Sequence, residues 1–306
     1  MVQAKRKGEW LELPIGHMRM DSTDKLRDFL CGQLRLPARL ARKMTTDENL
    51  RLSGSRLRLR LFPAQPLGFA PQWRNIKILY EDDFCLVVDK EAGIKVHPTE
   101  AGESGTLANF VAGYLESTGQ QVAVRHIHRL DRDTSGPVLY AKNEFAQSIL
   151  DRDMAEKRIA RVYSAIVKGN PPRKEAIIAA PIGRHRHING KMCVAASGKQ
   201  AVTRYKIVEQ WPGFALLEVR LETGRTHQIR VHLSYIGHPI VGDTLYGSAD
   251  PRIFRQALHA HELFFQHPFS SETVSVQSPY PADFRTLLEQ LRQVSGMRPR
   301  LGPYNG

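Results

Sequence analysis

Residues 126–136 read HIHRLDRDTSG. One acid, Asp131, stands two residues after Arg129 and directly before Arg132, and Asp-Thr-Ser-Gly follows at once, a group that favours a tight turn. Such a turn can point one carboxylate into a cleft while its neighbours hold it. An isolated Arg-Leu-Asp tripeptide reads as an ordinary charged loop, so the weight falls on the whole run and its surroundings.

The turn leads into a short apolar strand at Pro137–Ala141 and an amphipathic helix over Glu144–Lys157, with Phe145, Ile149 and Leu150 toward the core. RVYSAIVK (161–168) is rich in β-branched residues and reads as a strand. Upstream, ILYEDDFCLVVDKEAGIKVHP (78–98) holds two strands about an Asp-Asp turn, and Thr106–Leu115 reads as a helix. Downstream come strands at Ala201–Glu209 and Ala215–Leu221, a helix over Thr226–Ile236 stopped by Gly237, and a terminal helix at Leu287–Val294. Strands and helices mixed without a regular βαβ repeat argue for an α+β fold rather than a doubly wound sheet.

Residues 1–62 differ in character. They are rich in Arg and Leu, and PAQPLGFAP (63–71) after them reads as a linker before a larger unit at 72–306. Asp24–Leu34 and Pro37–Met44 read as two helices, and NLRLSGSRLRLRLF (49–62) alternates about Ser-Gly-Ser as a hairpin does. With arginines on its outer face this is a small RNA-binding module, or else a solvated strand face. Leu26, Phe29 and Leu30 leave a second choice open: the segment docks RNA beside an independent domain, or it packs into the main core.

The chain has 306 residues and a formal net charge of +13. A pI near 9.8 points toward a polyanion, because Lys and Arg gain by displacing the counterions condensed on a phosphate backbone. The longest apolar stretches, such as Phe84–Val88, are far short of a membrane span, and the first residues have no apolar signal region. Cys31, Cys85 and Cys193 lie far apart, which fits a reducing compartment and a cytoplasmic location. Three histidine pairs at i, i+2 (His126/His128, His185/His187, His259/His261) lack a carboxylate or Cys to complete a tetrahedral set, so no metal is expected. GRHRHINGKM (183–192) reads as a basic hairpin that presents Arg184 and Arg186 to phosphate, or as a solvated turn.

From His128 to Gly136 every fixed position resembles the hallmark of the RluA-type pseudouridine synthase family, His-Arg-Leu-Asp-x-x-Thr-Ser-Gly. Four further stretches occur in that family's order. VVDKEAGIKVHP (87–98) is similar to its opening segment, with Glu91–Ala92 where Pro-Ala is usual. KRIARVYSAIVKG (157–169), LETGRTHQIRVHLSYIGHPIVGDTLYG (221–247) and LHAHELFFQHP (258–268) look like its remaining motifs. The resemblance covers roughly residues 75–285 and implies a mixed, mainly antiparallel central sheet flanked by helices and loops. It also makes residues 24–62 look like a degenerate S-four-like module.

What the resemblance implies is isomerisation of uridine to pseudouridine in RNA. Asp131 is then the catalytic carboxylate, attacking C1′ or taking a proton from C2′. Arg230 is its basic partner, with Arg225 as second choice, and Tyr163 stacks on the uracil. Arg129 enters the space left by the extruded nucleotide. His128, Arg132, Arg225, His227, Arg184 and Arg186 are expected to contact RNA. The expected partner is ribosomal or transfer RNA, large-subunit ribosomal RNA first, acted on by a monomer that needs no cofactor and no membrane. Two other classes compete: an RNA-binding or chaperone protein without turnover, and a glycosylase that would release free uracil.

Overall fold

In the computed structural model, residues 4–16, 22–46, 48–100 and 102–294 are described. Residues 1–3, 17–21, 47, 101 and 295–306, which belong to the expected 1–62 and 72–306 units, lie outside the described residues. The N-terminal part runs β1 (Lys5–Lys7), β2 (Trp10–Pro14), α1 (Thr23–Gly32), α2 (Ala38–Thr46), β3 (Leu50–Ser53) and β4 (Arg56–Arg60). The strands form one antiparallel sheet ordered β1-β2-β4-β3. The two expected helices and the hairpin are there. β1 and β2 are additions, since WLELP alternates over too few residues to declare a strand.

The rest builds two sheets. β5 (Lys77–Glu81), β6 (Cys85–Lys90), β7 (Arg125–His126) and β8 (Gly136–Ala141) form one, ordered β5-β6-β8-β7, with α3 (Leu107–Ser117) and α4 (Glu144–Ala155) beside it. β9 (Ala160–Lys168), β10 (Glu175–Ala179), β13 (Val202–Trp211), β14 (Phe214–Leu221), β15 (Leu258–Gln266) and β16 (Thr273–Gln277) form the other, ordered β10-β13-β14-β9-β15-β16. Between them in sequence lie the small hairpin β11 (Ile182–Arg184) and β12 (Met192–Val194), helix α5 (Gln228–Tyr235) and, last, α6 (Ala282–Val294). All named strand pairs are antiparallel, and the fold is α+β as read. α6 starts five residues earlier than its apolar run predicts, because Phe284 is buried and belongs to the helical face.

One parallel bridge, Ser135 to His259, stitches the two larger sheets together at the start of β8. The turn holding Asp131 therefore sits at the seam between them. A first core fills the space around β9, β14, α3, α5 and α6. A second core is shared by the N-terminal part and the body: Leu13, Phe29, Leu30, Leu57 and Leu59 cluster with Phe84, Phe145, Ile149 and Phe265. Phe62 meets Phe84 edge-on at 5.4 Å. Of the two choices the sequence leaves open, Phe29 and Leu30 thus pack into the main body.

The 63–71 stretch has no regular structure but is bound along its length. Gln65 N–H donates to Gln121 O at 2.9 Å, Val124 N–H to Leu67 O at 2.9 Å, and Asn109 Nδ2 to Ala70 O at 2.9 Å. The hairpin arginines also differ from expectation. Glu12, 6% exposed, takes Lys7, Arg56 and Arg58, and Glu9 takes Arg60, so two carboxylates offset half of those four cations from within. Among the described residues no helix is long and apolar enough to cross a membrane.

Candidate active site

The Asp131 turn closes with Thr134 N–H on Asp131 O at 3.1 Å. Its far end is fixed where Gly136 passes β15. A Cβ there would overlap the Ala260 carbonyl, and the backbone has φ +127, so only glycine fits without strain. Ala260 N–H donates to Ser135 O at 2.9 Å, and the Ser135 hydroxyl meets His259 Nδ1 at 2.9 Å. Two buried cations cap the turn's outward carbonyls. Lys90, 1% exposed, donates to Arg132 O, Glu91 O and Ile94 O at 2.8, 2.8 and 2.7 Å. Arg255 donates to Asp133 O at 3.1 Å while its other edge grips Asp283 at 2.6 and 2.9 Å. With both ends held, Asp131 has one direction left, into the cleft.

Arg230 of α5 faces it. Nη1 lies 3.4 Å from Asp131 Oδ2, and Nε and Nη2 make a two-pronged pair with Asp243 at 2.7 and 2.9 Å. Asp243 is fully buried and also accepts from the Leu245 and Tyr246 N–H groups at 3.1 and 3.2 Å. Burial opposes the charge on Arg230, but the bonds and charge of Asp243, with Asp131 behind them, raise its pKa overall. The guanidinium also lies 5.0 Å from the centre of the Tyr246 ring.

The loop before α5 is set by Gln228. Its side-chain oxygen accepts from Thr223 Oγ1 and Arg225 N–H at 2.7 and 3.0 Å. Its nitrogen donates to Val202 O and Thr203 Oγ1, both at 3.0 Å. This leaves His227 in a left-handed conformation, φ 56, with Nδ1 2.9 Å from the Tyr246 hydroxyl. Burial outweighs the pull of Asp131 and lowers the His227 pKa, which favours the neutral ring.

Cavities open on both sides of Asp131. One, about 250 Å³, is lined by Arg129, Asp131, Arg161, Tyr163, Arg225 and Arg230 among others. The other, about 360 Å³, adds Lys95, His97, Arg132 and Gln256. Tyr163 is 4% exposed in the wall of the first, and burial raises its hydroxyl pKa. The structure brings Asp131, Arg230, Tyr163, Arg129, Arg225 and His227 to one cleft. Arg225 is exposed and spends its Nε on Gln200 O at 3.0 Å, so Asp131 is paired with Arg230 and not with Arg225.

The remaining expected residues sit in the cavity walls or on the surface. His128 is 6% exposed, and its Nε2 accepts from Leu139 N–H at 3.3 Å; it supports β8 from within the wall of the first cavity. Arg132 points outward beside Asp133. Arg184 and Arg186 are exposed on the β11–β12 hairpin, whose turn end is tied to the cleft by Met192 N–H donating to the Tyr246 hydroxyl at 2.8 Å. The histidine pairs make separate contacts: His126 stacks on His97 at 4.4 Å, His185 Nδ1 accepts from His187 N–H within its own turn, and His259 and His261 meet Ser135 and Ser164. Among the described residues, Asp82, Cys85 and His267 bring ligand atoms within 4.8 Å of one another, a trio outside those pairs. His267 Nδ1 there accepts from Ser270 N–H at 2.9 Å, and Asp82 Oδ1 accepts from Phe84 and Cys85 N–H at 2.7 Å.

The family model for RNA pseudouridylate synthase matches residues 84–235, the span that holds the Asp131 turn, Tyr163 and Arg230. A Bacillus subtilis (strain 168) protein named "Uncharacterized RNA pseudouridine synthase YhcT" is 36% identical over 289 residues, covering 94% of this chain and 95% of its own. This chain belongs to the RluA family of RNA pseudouridine synthases. The "Ribosomal large subunit pseudouridine synthase D" of Nitrosomonas europaea is 41% identical over 228 residues, 72% of this chain and 66% of that one. Among solved structures, "Human RNA Pseudouridylate Synthase Domain Containing 1" superposes with a TM-score of 0.59 at 28% identity, covering 74% of this chain and 97% of that one.

Four residues of this pseudouridine synthase site escaped the sequence reading. Asp243 and Tyr246 lie in the Gly-Asp-x-x-Tyr-Gly stretch, whose spacing marked it without saying what it touches. Lys90 lies in the VVDKEAGIKVHP stretch, which marked it without saying what it touches, and Arg255 gave no signal, because a buried cation reads in sequence like a surface one.

Proposed function

We propose that this RNA pseudouridine synthase acts on a uridine of large-subunit ribosomal RNA, with Asp131 as its catalytic carboxylate. The observation that carries the chemistry is the Asp131–Arg230 pair, set between two cavities and backed by buried Asp243. Arg230 keeps Asp131 ionised while the carboxylate acts on the ribose, at C1′ or at the C2′ proton. The C1′–N1 bond breaks, the uracil turns within the cavity against Tyr163, and C5 bonds to C1′. The C5 proton is lost and N1 gains one, so the product is an isomer and no electrons leave. Arg129, exposed at the mouth of both cavities, occupies the gap from which the nucleotide swings out. The large-subunit substrate is supported by the name of the Nitrosomonas europaea relative and by the excess positive charge.

Pseudouridine mapping of total RNA with and without the gene tests the substrate. A site lost from large-subunit ribosomal RNA is expected, and a site lost only from transfer RNA overturns the choice. Purified Asp131→Asn protein should bind RNA and melt like the wild type while forming no pseudouridine. Appreciable product from it would remove Asp131 from the mechanism, and release of free uracil by the wild type would mark a glycosylase.

A further inference from the structure

Asp153 of α4 is fully buried, and three guanidiniums converge on it. Arg35, between α1 and α2, donates to both its oxygens at 3.0 and 3.1 Å. Arg158 donates through Nε at 3.0 Å and through Nη2, and Arg152 Nε lies 3.9 Å away. One carboxylate balances one cation of the three. Glu156 takes part of Arg158, and the three side chains remain 25%, 37% and 31% exposed. Arg35 sits at φ 57, a strained conformation for a residue with a Cβ, and is held there by this pairing.

The cations extend in both directions. Lys43 near the end of α2 pairs with Glu144 at the start of α4, while Arg35 precedes α2 and pairs with Asp153 near the end of α4. The two helices therefore run antiparallel. Arg39, one turn before Lys43, lies on the same row of α2 and is exposed. Lys157 is exposed beside Arg158. Among the described residues neither Arg39 nor Lys157 has a carboxylate partner. At the other end, Met154 and Arg161 line the cavity beside Asp131, and Arg161 is three residues, at most ~11 Å of chain, from Arg158.

We propose that the α2–α4 seam, from Arg161 past Lys157, Arg158, Arg152 and Arg35 to Arg39, is a phosphate track that holds the substrate RNA strand leaving the active site. It rests on RNA being the substrate and goes further in assigning the path. The shared core fixes the N-terminal part against α4, so the track is preformed. The β3–β4 arginines belong to the other face of the N-terminal part: Arg56, Arg58 and Arg60 pair with Glu12 and Glu9, and Arg51 lies over the Trp10 ring.

The test uses a uridine-containing stem–loop RNA and the full-length Asp131→Asn protein, so that binding is read without turnover. The seam variant adds Arg39→Gln, Arg152→Gln and Lys157→Asn, asparagine being tolerated at the positive φ of Lys157. Three lost phosphate contacts should flatten the slope of log affinity against log salt by about 2–3, which is about 20- to 40-fold less gain in affinity between about 200 and about 50 mM salt. A control carrying Arg51→Gln and Arg60→Gln on the hairpin should keep the parent slope. If Arg152→Gln lowers the melting temperature, the Arg39→Gln/Lys157→Asn pair is used, with about 7- to 12-fold expected on the same scale. A well-folded seam variant with the parent slope overturns the track, as does a slope that falls only in the hairpin control. Absence of salt-dependent RNA binding by the parent protein overturns the track together with the substrate reading, whereas failure of the track alone leaves the synthase standing.

Discussion

Asp243→Asn separates holding the catalytic pair from doing the chemistry. The buried Asp243 carboxylate receives Arg230 Nε and Nη2 at 2.7 and 2.9 Å and two backbone N–H groups at 3.1 and 3.2 Å. Asparagine keeps the shape but turns one acceptor into a donor. The guanidinium loses one acceptor in either orientation, the Leu245–Tyr246 amides lose theirs too where the new NH2 replaces Oδ1, and Arg230 loses its buried counter-charge. Removing one member of a buried pair costs about 3–5 kcal/mol. Unfolding entropy at the usual value per residue, over 306 residues, converts this into a melting point lower by about 5–8 °C. Arg230 would then be drawn onto Asp131, its remaining acid, and away from its set position. Such a displacement should slow pseudouridine formation by about 100-fold. Asp131→Asn behaves oppositely: its contact is 3.4 Å, it is 20% exposed, and Arg230 stays anchored on Asp243, so the melt is preserved and turnover lost. Single-turnover pseudouridine formation and thermal melting of both variants decide it. Wild-type rate and melting in Asp243→Asn, or an equal melting loss in both, would refute the reasoning.

Three further outcomes can be checked. Gly136→Ala drives a methyl group into the Ala260 carbonyl at a positive φ and breaks the Ser135–Ala260 bond; a loss of about 3–5 kcal/mol in denaturant melts is expected, and a neutral result would show that the sheet seam can open. Burial lowers the Lys90 pKa from 10.5 to about 7, against the pull of Asp133 and Asp131. Between those values the unfolded chain holds a proton the folded one has lost, so Lys90 makes stability rise with pH as kcat falls, because a neutral amine has two N–H groups for three carbonyls; a pH-rate profile flat from about 6 to about 9 would exclude this. Deleting residues 1–62 strips Leu13, Leu30, Leu57 and Leu59 from Phe84, Phe145 and Phe265 and should abolish the cooperative melt; a well-folded remainder would show the shared core to be dispensable.

The elements were legible wherever one face alone carries the apolar residues. α1, α3, α4, β9 and β14 lie within a few residues of their expected bounds, because period and burial agree there. β1, β2 and β10 escaped for the opposite reason: three to five residues cannot display a period, and their places are set by pairing to β2, β4 and β13. The hairpin arginines show a different limit. Alternation put Arg56, Arg58 and Arg60 on the outer face, but Glu9 and Glu12 arrive there from β1–β2, about 50 residues away, and pair with them. Local pattern fixes which side a charge is on and leaves open what meets it.

The site follows the same division. The turn that holds Asp131 was readable because adjacent residues encode it: Thr134 closes it, Gly136 alone fits beside Ala260, and both lie within five residues of Asp131. The charges that surround Asp131 are distant in sequence. Arg230 is 99 residues away, Asp243 a further 13, and Arg255 reaches the turn across 122 residues while anchored on Asp283 of α6. No spacing rule finds such partners. A physical rule does: a guanidinium between two carboxylates, one buried and one open to a cavity, assigns support to the first and chemistry to the second. By that rule the pair cannot be exchanged, and an Asp131→Asn, Asp243→Asn double variant should melt like Asp243→Asn and turn over like Asp131→Asn.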